Sequence, residues 1–369
     1  MPSNALDYIT IRGFKSIASI EKLALRPINV VIGANGSGKS NFIGAFAFLH
    51  EIREGRLRRY VSEAGGAEKV LHFGSKQTKG IYVDLSFANG VNRYELKLGP
   101  TADDGLYPYD ESAHLDGTIG AMDRDHTSFL PAVNGREAGI SSRHLIDVAK
   151  MVQDHFGSWR VYHLEETRSM RATVEIDNNR VLERHGANLS AFLYYLREKH
   201  GASYDLIVRT VQRVAPFFDD FRLDPLQLKP DTIKLEWRHK RSDEYFDASS
   251  LSDGTLRFIA LATLFLQPEQ HRPSLILVDE PELGLHPYAI EMLSALVRQA
   301  SVTTQVILAT QSSLLLDHFQ PEDVLVADRV DGGTQLTRLE SSKLATWLEG
   351  YSLGQLWEKN EFGGRPVPA

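Results

Sequence analysis

The stretch "INVVIGANGSGKS", residues 28–40, constrains the fold of this chain more than any other. It joins a short apolar run, typical of a buried strand, to the pattern G-x-x-x-x-G-K-S and to a helix predicted from about Lys39 to Arg53. Gly36 and Gly38 let the backbone curl so that successive amides face one anion, while the helix N-terminus adds partial positive charge. The stretch therefore predicts a phosphate-binding loop between a strand and a helix of an α/β domain.

The side chains of this loop indicate which ligand it takes. We expect Lys39 to bridge the β- and γ-phosphates of a nucleotide and Ser40 to ligate magnesium. A purely structural turn is the alternative. The predicted nucleotide-binding residues of the loop are Gly33, Asn35, Gly36, Ser37, Gly38, Lys39, Ser40 and Asn41.

Composition excludes several other classes of protein. With no cysteine among its 369 residues, the chain has no disulfides, thiolate nucleophiles or cysteine-bound zinc, so any metal sits on oxygen or imidazole ligands and magnesium is favoured. The net charge of -7 argues against a chain that is basic all over, and DNA binding needs a local argument. No apolar run is long enough to span a bilayer, and "MPSNALDYITIRGF" does not have the regions of a signal peptide. We therefore expect a soluble, cytoplasmic protein with no membrane partner.

A second apolar run, "LILVDE", supplies the acidic residues that a phosphate loop needs. Residues 275–278 are typical of a buried strand, and Asp279 follows at its carboxyl end, where ligands bind in parallel sheets. We expect Asp279 to hold the magnesium through water and Glu280 to act as general base on a water in line with the γ-phosphate. Because Pro281 suits a helix entry, helix-start chemistry is the alternative role of Glu280.

The stretch "SSLSDGTLRF", residues 249–258, predicts a second anion site. Ser252 can cap the apolar helix that follows, Gly254 leaves the amides uncovered, and the helix dipole adds positive potential. The first loop already encloses the phosphates of one nucleotide. If the second loop also meets a γ-phosphate, the simplest geometry places that phosphate in a neighbouring subunit.

The rest of the chain alternates strands and helices, which predicts a largely parallel sheet. We expect one β-hairpin around Gly13, another around the Asn-Gly turn at residues 89–90, and two helices in "ANLSAFLYYLREKH" and "YDLIVRTVQRVAPFF". Residues 99–139 are rich in Asp, Gly and Pro and predict a loop or a mobile insertion. The predicted divisions are an N-terminal lobe with the phosphate loop (1–98), an insertion (99–184), a helical and strand subdomain (185–245), a lobe with the second loop and the acidic strand (246–345) and a C-terminal tail (346–369).

Two further segments leave alternatives open. The densest basic cluster is in "REGRLRRY", where Arg53, Arg56, Arg58 and Arg59 fit either a solvated helix end or a nucleic-acid contact. The C-terminal "LATWLEGYSLGQLWEKNEF" has apolar residues at helical spacing, which fits packing onto the core or docking of a partner.

Taken together, "GANGSGKS", "SLSDGT", "LILVDEPELGLHP" and the opening "ITIRGFKSI" resemble the ATP-binding cassette ATPases of the RecF and SMC branch, close to the predicted RecF-type ATPases of bacteria. The resemblance covers residues 6–90 and 185–330 approximately. It implies an α/β P-loop fold of ABC/RecF type, with a mostly parallel central sheet, an N-terminal antiparallel β subdomain and a helical insertion. It also implies ATP and Mg²⁺ as cofactors, with two subunits enclosing two ATP molecules between the phosphate loop of one and the signature loop of the other.

On this resemblance, the second anion loop is the signature loop. Ser252, Asp253 and Gly254 would complete the nucleotide site of the partner subunit, and "ELGLHP", residues 282–287, would run along the dimer interface. By the same analogy Arg12, near the start of the chain, would lie close to the nucleotide.

The sequence departs from the family pattern at two positions. The switch histidine that usually follows the strand "QVILAT" is replaced by Gln311, which can hydrogen-bond the γ-phosphate or the attacking water but cannot become cationic. We therefore expect slow turnover. The family also has a glutamine loop that contacts the metal, and a candidate for it is Gln77 in "GSKQTKG".

The resemblance implies an ATPase that forms an ATP-enclosed homodimer and acts in DNA repair or phage defence, with DNA or a separate nuclease as partner. The chain is similar to the ATPase half of overcoming-lysogenization nucleases, but it ends soon after "WEKNEFGGRPVPA", and we expect no nuclease domain in it. One alternative is a slow nucleotide switch, which Gln311 favours. Another is the motor subunit of a membrane transporter, which "GFKSI" and "DEPELGLHP" argue against.

Overall fold

The computed structural model of the protein describes residues 5–115, 126–145 and 147–364. Its strands, in chain order, are β1 (Leu6–Phe14), β2 (Ile17–Ala24), β3 (Ile28–Ile32), β4 (Ile81–Phe87), β5 (Asn92–Pro100), β6 (Leu106–Leu115), β7 (His126–Phe129), β8 (Trp159–His163), β9 (Val174–Glu175), β10 (Phe218–Arg222), β11 (Thr232–Ile233), β12 (Glu236–His239), β13 (Tyr245–Asp247), β14 (Leu275–Asp279), β15 (Gln305–Thr310), β16 (Val324–Val330) and β17 (Gly333–Arg338). Its α-helices are α1 (Lys39–Arg53), α2 (Leu57–Glu63), α3 (Ala67–Val70), α4 (Asp147–Gly157), α5 (Leu189–Lys199), α6 (Gly201–Val214), α7 (Asp253–Leu266), α8 (Pro287–Ala300), α9 (Ser313–Leu316), α10 (Ser341–Leu348) and α11 (Leu353–Glu358). None of the helices in the described ranges has both the length and the apolar character needed to cross a membrane.

The central sheet has six strands in the order β17-β16-β3-β15-β14-β8. Neighbours from β16 to β8 are parallel, and β17 alone is antiparallel, pairing with β16. Every residue of β3, β14 and β15 is buried, which explains their continuous apolar sequences. The predicted mostly parallel central sheet is therefore confirmed, as is the helix α1 directly after the phosphate loop.

A second six-stranded sheet, in the order β2-β1-β4-β5-β6-β7, is antiparallel throughout. The hairpin of β1 and β2 turns at Lys15, whose φ of 49° is left-handed, so Gly13 lies inside β1 rather than at the turn. The "ANG" turn has left-handed backbone at Ala88, Asn89 and Gly90 and joins β4 to β5, as its sequence predicts. This sheet is the predicted N-terminal antiparallel subdomain.

The prediction of a loop over residues 99–139 is wrong in part, because β6 and β7 lie in this segment and extend the antiparallel sheet. Because Pro108 interrupts the strand pattern of β6, the sequence did not predict this strand. Pro108 pairs with Leu98 where the register shifts between Lys97 and Leu98, and a proline fits such a bulge because the ladder is already interrupted there. Residues 116–125 of the predicted loop lie outside the described residues.

Two strands of the central sheet were not predicted. The short strand β8 forms one edge and pairs in parallel with β14, which follows it only after a long intervening segment of chain. The other missed strand, β17, is joined to β16 by left-handed turn residues Asp331 and Gly332. The sequence "DGG" is a hairpin signal that could have revealed it.

The central sheet separates two hydrophobic cores. Because successive strand residues face opposite sides, Val30 and Ile32 of β3 join one core and Val31 joins the other. The first core contains residues of α5 to α8, and α5 and α6 are the two helices that the periodicity predicts. The second core contains residues of α1 and of the antiparallel sheet. The buried parallel strands are thus packed on both faces, and the two cores fix the positions of their carboxyl ends.

The C-terminal helices α10 and α11 pack onto the first core through Leu344 and Leu353, and Leu356 of α11 is also buried. Gly354 also donates its backbone amide to Asp317 at 2.6 Å, next to α9. Of the two interpretations of this segment, the structure supports packing onto the core.

Candidate nucleotide-binding site

The phosphate loop has the backbone that its glycines predict. Gly36 and Gly38 have φ values of 79° and 105°, in the left-handed region where a side chain is strained. A Cβ on Gly36 would meet nothing within 4 Å, whereas one on Gly38 would lie 1.9 Å from Thr334 Oγ1. Thr334, which sequence reasoning missed, also donates to the Ser37 carbonyl at 3.0 Å and so supports the loop from β17. The first turn of α1 has no side-chain cap, and its amides are free to meet an anion.

Lys39 and Ser37 are buried inside the loop. The Lys39 ammonium donates to the carbonyls of Gly33 at 2.8 Å and Ala34 at 3.1 Å, so it already lies across the loop. Burial lowers the pKa of Lys39, although nearby carboxylates oppose this effect. Ser37 Oγ is buried and has no hydrogen-bond partner in the part of the chain that the structure describes. A buried cation and an unpaired hydroxyl group within one curled backbone fit a polyphosphate.

The remaining predicted loop residues point in different directions. Asn35 and Ser40 are exposed at the mouth of the loop. Asn41 instead donates its side-chain amide to Ser16 Oγ at 2.7 Å, and Ser16 Oγ also contacts Thr334 Oγ1. The side chain of Asn41 therefore ties α1 to the N-terminal hairpin.

Asp279 lies at the carboxyl end of β14, directly opposite the phosphate loop. The side chain is only 6% exposed, and no described residue gives its Oδ1 a hydrogen-bond partner. Burial raises the pKa of Asp279, while a hydrogen bond from the Ser40 hydroxyl lowers it, so the two predicted magnesium ligands are in contact. An unpaired buried carboxylate oxygen beside a serine hydroxyl fits a magnesium ion, which prefers oxygen ligands.

The predicted general base and the switch-position glutamine are also in contact. Gln311 Nε2 donates to Glu280 Oε1 at 2.8 Å. Glu280 has a φ of 44°, an uncommon conformation for a residue with a side chain, and its backbone amide donates to the Ala309 carbonyl at 2.8 Å. Since Ala309 lies on β15, the parallel pairing of β14 and β15 fixes the strained backbone of Glu280.

Glu282 is a further acidic residue of this edge. It is buried and accepts a hydrogen bond from Thr310 Oγ1, while its Oε2 has no partner among residues 5–115, 126–145 and 147–364. Burial raises the pKa of Glu282 to about 7. The site therefore holds two buried carboxylates, Asp279 and Glu282, with unsatisfied oxygens.

Sequence reasoning missed His163 and Glu165 at the end of β8. One ligand atom from each of His163, Glu165 and Asp279 lies within 4.8 Å of the other two, so these residues could contribute to holding a metal. His163 Nδ1 is 4.0 Å from Asp279 Oδ2, while Arg184 Nη2 is 2.6 Å from His163 Nε2. Burial, Arg184 and His185 lower the pKa of His163 to about 4, so the ring is neutral at physiological pH. The signal in the sequence that could have revealed these residues is a short strand, β8, that ends in a polar residue.

The signature loop is exposed at the start of α7. Ser252 caps this helix by accepting the Thr255 amide at 3.1 Å, as predicted. Asp253 is held by Arg171 Nη2 at 2.8 Å and by the Thr167 hydroxyl. A Cβ on Gly254 would lie 2.2 Å from the Gly284 carbonyl, so this glycine lets the loop approach residues 282–287 of its own chain.

A buried arginine connects the signature helix to the end of β8. Arg257 Nε donates to the Leu164 carbonyl and Nη2 to the Glu165 carbonyl, both at 2.9 Å. Arg257 Nη1 would lie 2.9 Å from a Cβ on Gly284. One side chain therefore spans three segments of the site, a role that the sequence did not reveal.

Two predicted site residues are not brought to the loop. Arg12 forms an ion pair with Glu21, at 2.5 Å, and lies over the Tyr82 ring at 4.9 Å. Gln77 is exposed in a turn, where its backbone amide donates to the Gly74 carbonyl. Among the described residues, neither side chain hydrogen-bonds to the phosphate loop or to Asp279.

The basic cluster is largely neutralised by its neighbours. Arg53 pairs with Glu54, Arg56 pairs with Glu51 at 2.6 Å, and Arg59 pairs with Glu63 at 2.7 Å. Arg58 lines a cavity of about 480 Å³ that also contains acidic side chains, namely Asp103 and Asp104. The interpretation as a solvated helix end is therefore supported for this cluster over a free nucleic-acid contact.

Comparisons with known proteins identify the family and the fold of the chain. A family model described as "AAA domain, putative AbiEii toxin, Type IV TA system" matches residues 28–317. Old nuclease from Escherichia phage P2 is 22% identical over 366 residues, which covers 91% of this chain and 61% of that protein. Chromosome partition protein Smc from Mycobacterium leprae (strain TN) is 29% identical over 150 residues, or 40% of this chain and 11% of that protein. The chain thus spans less than two thirds of either relative.

The fold is also similar to that of a solved head domain. The structure of the SmcHead bound to the C-winged helix domain of ScpA superimposes with a TM-score of 0.59 at 16% identity, covering 92% of this chain and 99% of that one. At this identity the similarity shows a common fold and nothing finer.

Proposed function

The chain belongs to the AAA-domain family described as a putative AbiEii toxin of a Type IV TA system, and from this premise we propose an ATPase of the RecF/SMC-like ABC type that works as an ATP-enclosed homodimer. One observation carries the proposal. Among the described residues, the buried atoms Ser37 Oγ and Asp279 Oδ1 both have no hydrogen-bond partner where the phosphate loop faces the end of β14. Buried polar atoms normally have partners, so this layer is built to receive a ligand.

The roles of the residues follow from their positions. Lys39 and the amides at the start of α1 bind the β- and γ-phosphates. Ser40 and Asp279 hold the magnesium ion, which when bound neutralises charge on these phosphates. Glu280 accepts a proton from the attacking water, and Gln311 orients that water by hydrogen bonding. The parallel pairing of β14 with β15 holds the base and its partner in register.

The exposed signature loop supports a shared site. Ser252 and Asp253 are exposed in this chain, and the capped start of α7 presents positive helix potential outward. In the proposed dimer, Ser252 to Gly254 of one subunit would cover the γ-phosphate bound to Lys39 of the other.

Mixing two inactive variants tests this sharing directly. Lys39→Ala removes the phosphate-binding ammonium, and Ser252→Arg blocks the signature loop, so each variant alone should lose turnover. A heterodimer of the two has one intact composite site, and an equal mixture should recover up to about a quarter of wild-type turnover. If both variants are folded and the mixture stays as inactive as its components, the site is not shared between subunits.

A slow nucleotide switch remains the second candidate, and the hydrogen bond of 2.8 Å from Gln311 to Glu280 favours it. This bond occupies an oxygen of the base until the glutamine moves, and a glutamine cannot supply positive charge to the γ-phosphate. Turnover of the wild-type protein under saturating ATP distinguishes the two. A dimer that persists for many minutes on one ATP load indicates a switch, whereas steady release of phosphate indicates an ATPase cycle.

For the biological role we propose DNA repair or phage defence, with DNA or a separate nuclease reading the ATP-bound dimer. The similarity to Old nuclease of a phage and to a chromosome partition protein supports this. Since three arginines of the basic cluster are paired within the chain, DNA contact would depend on surfaces that dimerisation brings together. Filter binding with and without ATP tests this: DNA retention should require ATP, and no retention in either state would remove DNA from the proposal.

A further inference from the structure

A cluster of three polar side chains lies far from the nucleotide site. Tyr195 is on α5, His200 joins α5 to α6, and His271 ends the 3₁₀ turn Glu269–His271 that follows α7. All three are half-buried. Because α7 has 14 residues, the cluster lies about 20 Å from the signature loop, beyond the opposite end of the same helix. Neither the phosphate loop nor the acidic strand contributes to it.

The polar atoms of this cluster form a regular triangle. Tyr195 Oη is 3.2 Å from His200 Nε2 and 3.2 Å from His271 Nε2, and the two Nε2 atoms are also 3.2 Å apart. The ring centroids of the two histidines are 4.9 Å apart, so their Nε2 edges face each other.

Hydrogen bonds alone account poorly for this triangle. An imidazole Nε2 carries either one hydrogen or one lone pair, in a single direction in the ring plane, and it cannot aim at two partners at once. Both nitrogens have at least two close partners here. A metal ion between the three atoms would instead need all of them to point at one position, and that is how they are arranged.

We propose that Tyr195 Oη, His200 Nε2 and His271 Nε2 bind a divalent transition-metal ion, with zinc as the best geometric match. Tetrahedral zinc with bonds of about 2.0–2.1 Å places neighbouring ligand atoms about 3.3 Å apart, close to the observed sides of the triangle. A point about 2.0 Å from all three atoms lies just outside their plane, so the ion fits with little movement of the side chains. Imidazole nitrogen favours zinc and its neighbours in the first transition row over magnesium.

The surroundings supply a fourth ligand and an entry path. Gln270 Nε2 is 3.4 Å from His271 Nε2, and exchanging the amide nitrogen and oxygen by a flip would present Oε1 to the ion. A surface depression lined by His200, Pro268, Glu269 and Gln270 opens the cluster to solvent. Burial and the neighbouring His200 lower the pKa of His271, which favours its neutral, metal-binding form.

Binding at this place would connect two parts of the fold. The ion would join the α5–α6 hairpin to the chain segment that leaves α7. Since α7 begins at the signature loop, the metal would fix the distal end of the helix whose other end covers the nucleotide in the proposed dimer. Metal bound only to the folded state also raises stability.

Calorimetric titration of the EDTA-treated full-length protein with zinc chloride, in excess magnesium, tests the proposal. We expect one zinc per chain at this cluster. His200→Ala and His271→Ala should each weaken binding by at least about tenfold, since even the loss of an outer partner of a metal ligand weakens binding by about that much. Tyr195→Phe, which removes a single hydroxyl, should weaken it less. The control His144→Ala changes an exposed histidine elsewhere and should bind as the wild type does, and His163→Ala shows whether any zinc goes to the nucleotide site.

Cobalt gives a second measurement that does not depend on the variants folding. The wild-type protein with cobalt should show the intense visible absorption of a tetrahedral site, and zinc should abolish it. Absence of zinc binding by the wild type, or undiminished binding in folded His200→Ala and His271→Ala, would overturn the proposal. So would zinc binding that disappears in His163→Ala but persists in the cluster variants.

Discussion

Two buried carboxylates, one in each sheet, differ in how their oxygens are satisfied. Glu111 of the antiparallel sheet is 4% exposed and accepts hydrogen bonds from Tyr94 Oη at 2.8 Å and from the amides of Gly139 at 2.6 Å and Ile140 at 2.9 Å. Asp279 of the central sheet is 6% exposed, and its Oδ1 has no hydrogen-bond partner within the described ranges. Burial raises the pKa of both groups.

The difference separates a structural from a functional carboxylate. Glu111 uses its oxygens to join β6 to the 3₁₀ turn at Gly139–Ser141, so its environment is complete in the folded chain. Asp279 keeps an open oxygen beside the phosphate loop. Of seven buried side-chain atoms without partners in the described part of the chain, three belong to this site: Ser37 Oγ, Asp279 Oδ1 and Glu282 Oε2. Such a concentration marks the place where stability is given up for ligand binding.

The largest effect that we expect is on turnover. Glu280→Gln keeps the shape of the general base but removes its proton acceptor, and it should lower turnover by about 10²–10⁴-fold while ATP still binds. Glu166→Gln neutralises an exposed carboxylate on the segment after β8 and serves as the control, with turnover unchanged. Phosphate release under saturating ATP measures both. Near-normal turnover in Glu280→Gln would mean that the site formed by the phosphate loop and the end of β14 does not hydrolyse ATP.

The next effect concerns pH and the satisfied carboxylate. Burial raises the pKa of Glu111 from 4.5 to about 7, so the folded protein holds this proton more tightly than the unfolded chain does. The resulting stability is complete below pH 4.5 and is lost as the pH rises through 7, by at most about 3 kcal/mol. Urea midpoints at pH 5 and pH 8 should therefore differ more in the wild type than in Glu111→Gln. Equal pH dependence in the two proteins would contradict this account of Glu111.

A pair of glycine substitutions compares a packed and an open position. Gly254→Ala places a Cβ 2.2 Å from the Gly284 carbonyl and should destabilise the protein by about 1–3 kcal/mol and reduce turnover. Gly44→Ala, on α1, meets nothing within 4 Å and should be stabilising by up to about 1 kcal/mol, because alanine favours a helix. Thermal melting and phosphate release measure both variants. A neutral Gly254→Ala would show that the signature loop does not depend on contact with residues 282–287.

The smallest effect that we expect is a change in stability, and its direction is what tests the role of Asp279. Asp279→Asn removes a buried charge with an unpaired oxygen and can still accept the hydrogen bond from Ser40, so the ligand-free protein should gain about 1 kcal/mol in stability. Magnesium-dependent ATP affinity should fall at the same time. Urea unfolding without nucleotide measures the gain, and a clear loss of stability instead would place Asp279 with the structural carboxylates.

The sequence predicts the parts of the site that depend on contiguous residues. The phosphate loop, Asp279 and Glu280 were found because a strand, its carboxyl-terminal residues and the following turn are adjacent in the chain. Glu280 and Gln311, predicted from separate segments, prove to be in contact. The parallel order of the strands explains why, since β14 and β15 end at the same edge.

The rest depends on contacts between distant segments. Arg257 and Thr334 act through backbone groups far away in the chain, and no local pattern marks them. The edge strand β8, with His163 at its end, pairs in parallel with a strand more than a hundred residues away. The sequence could have predicted part of the ion pairing in the basic cluster, because Arg59 and Glu63 have the spacing of a helical ion pair.

If ATP binds between two copies of this chain, the elution volume of Glu280→Gln on size exclusion should report the dimer. With ATP and magnesium, the variant should elute at the volume of a dimer, and without nucleotide or with Lys39→Ala added it should elute as a monomer. A protein that binds ATP stoichiometrically yet elutes as a monomer at saturating nucleotide would contradict the account.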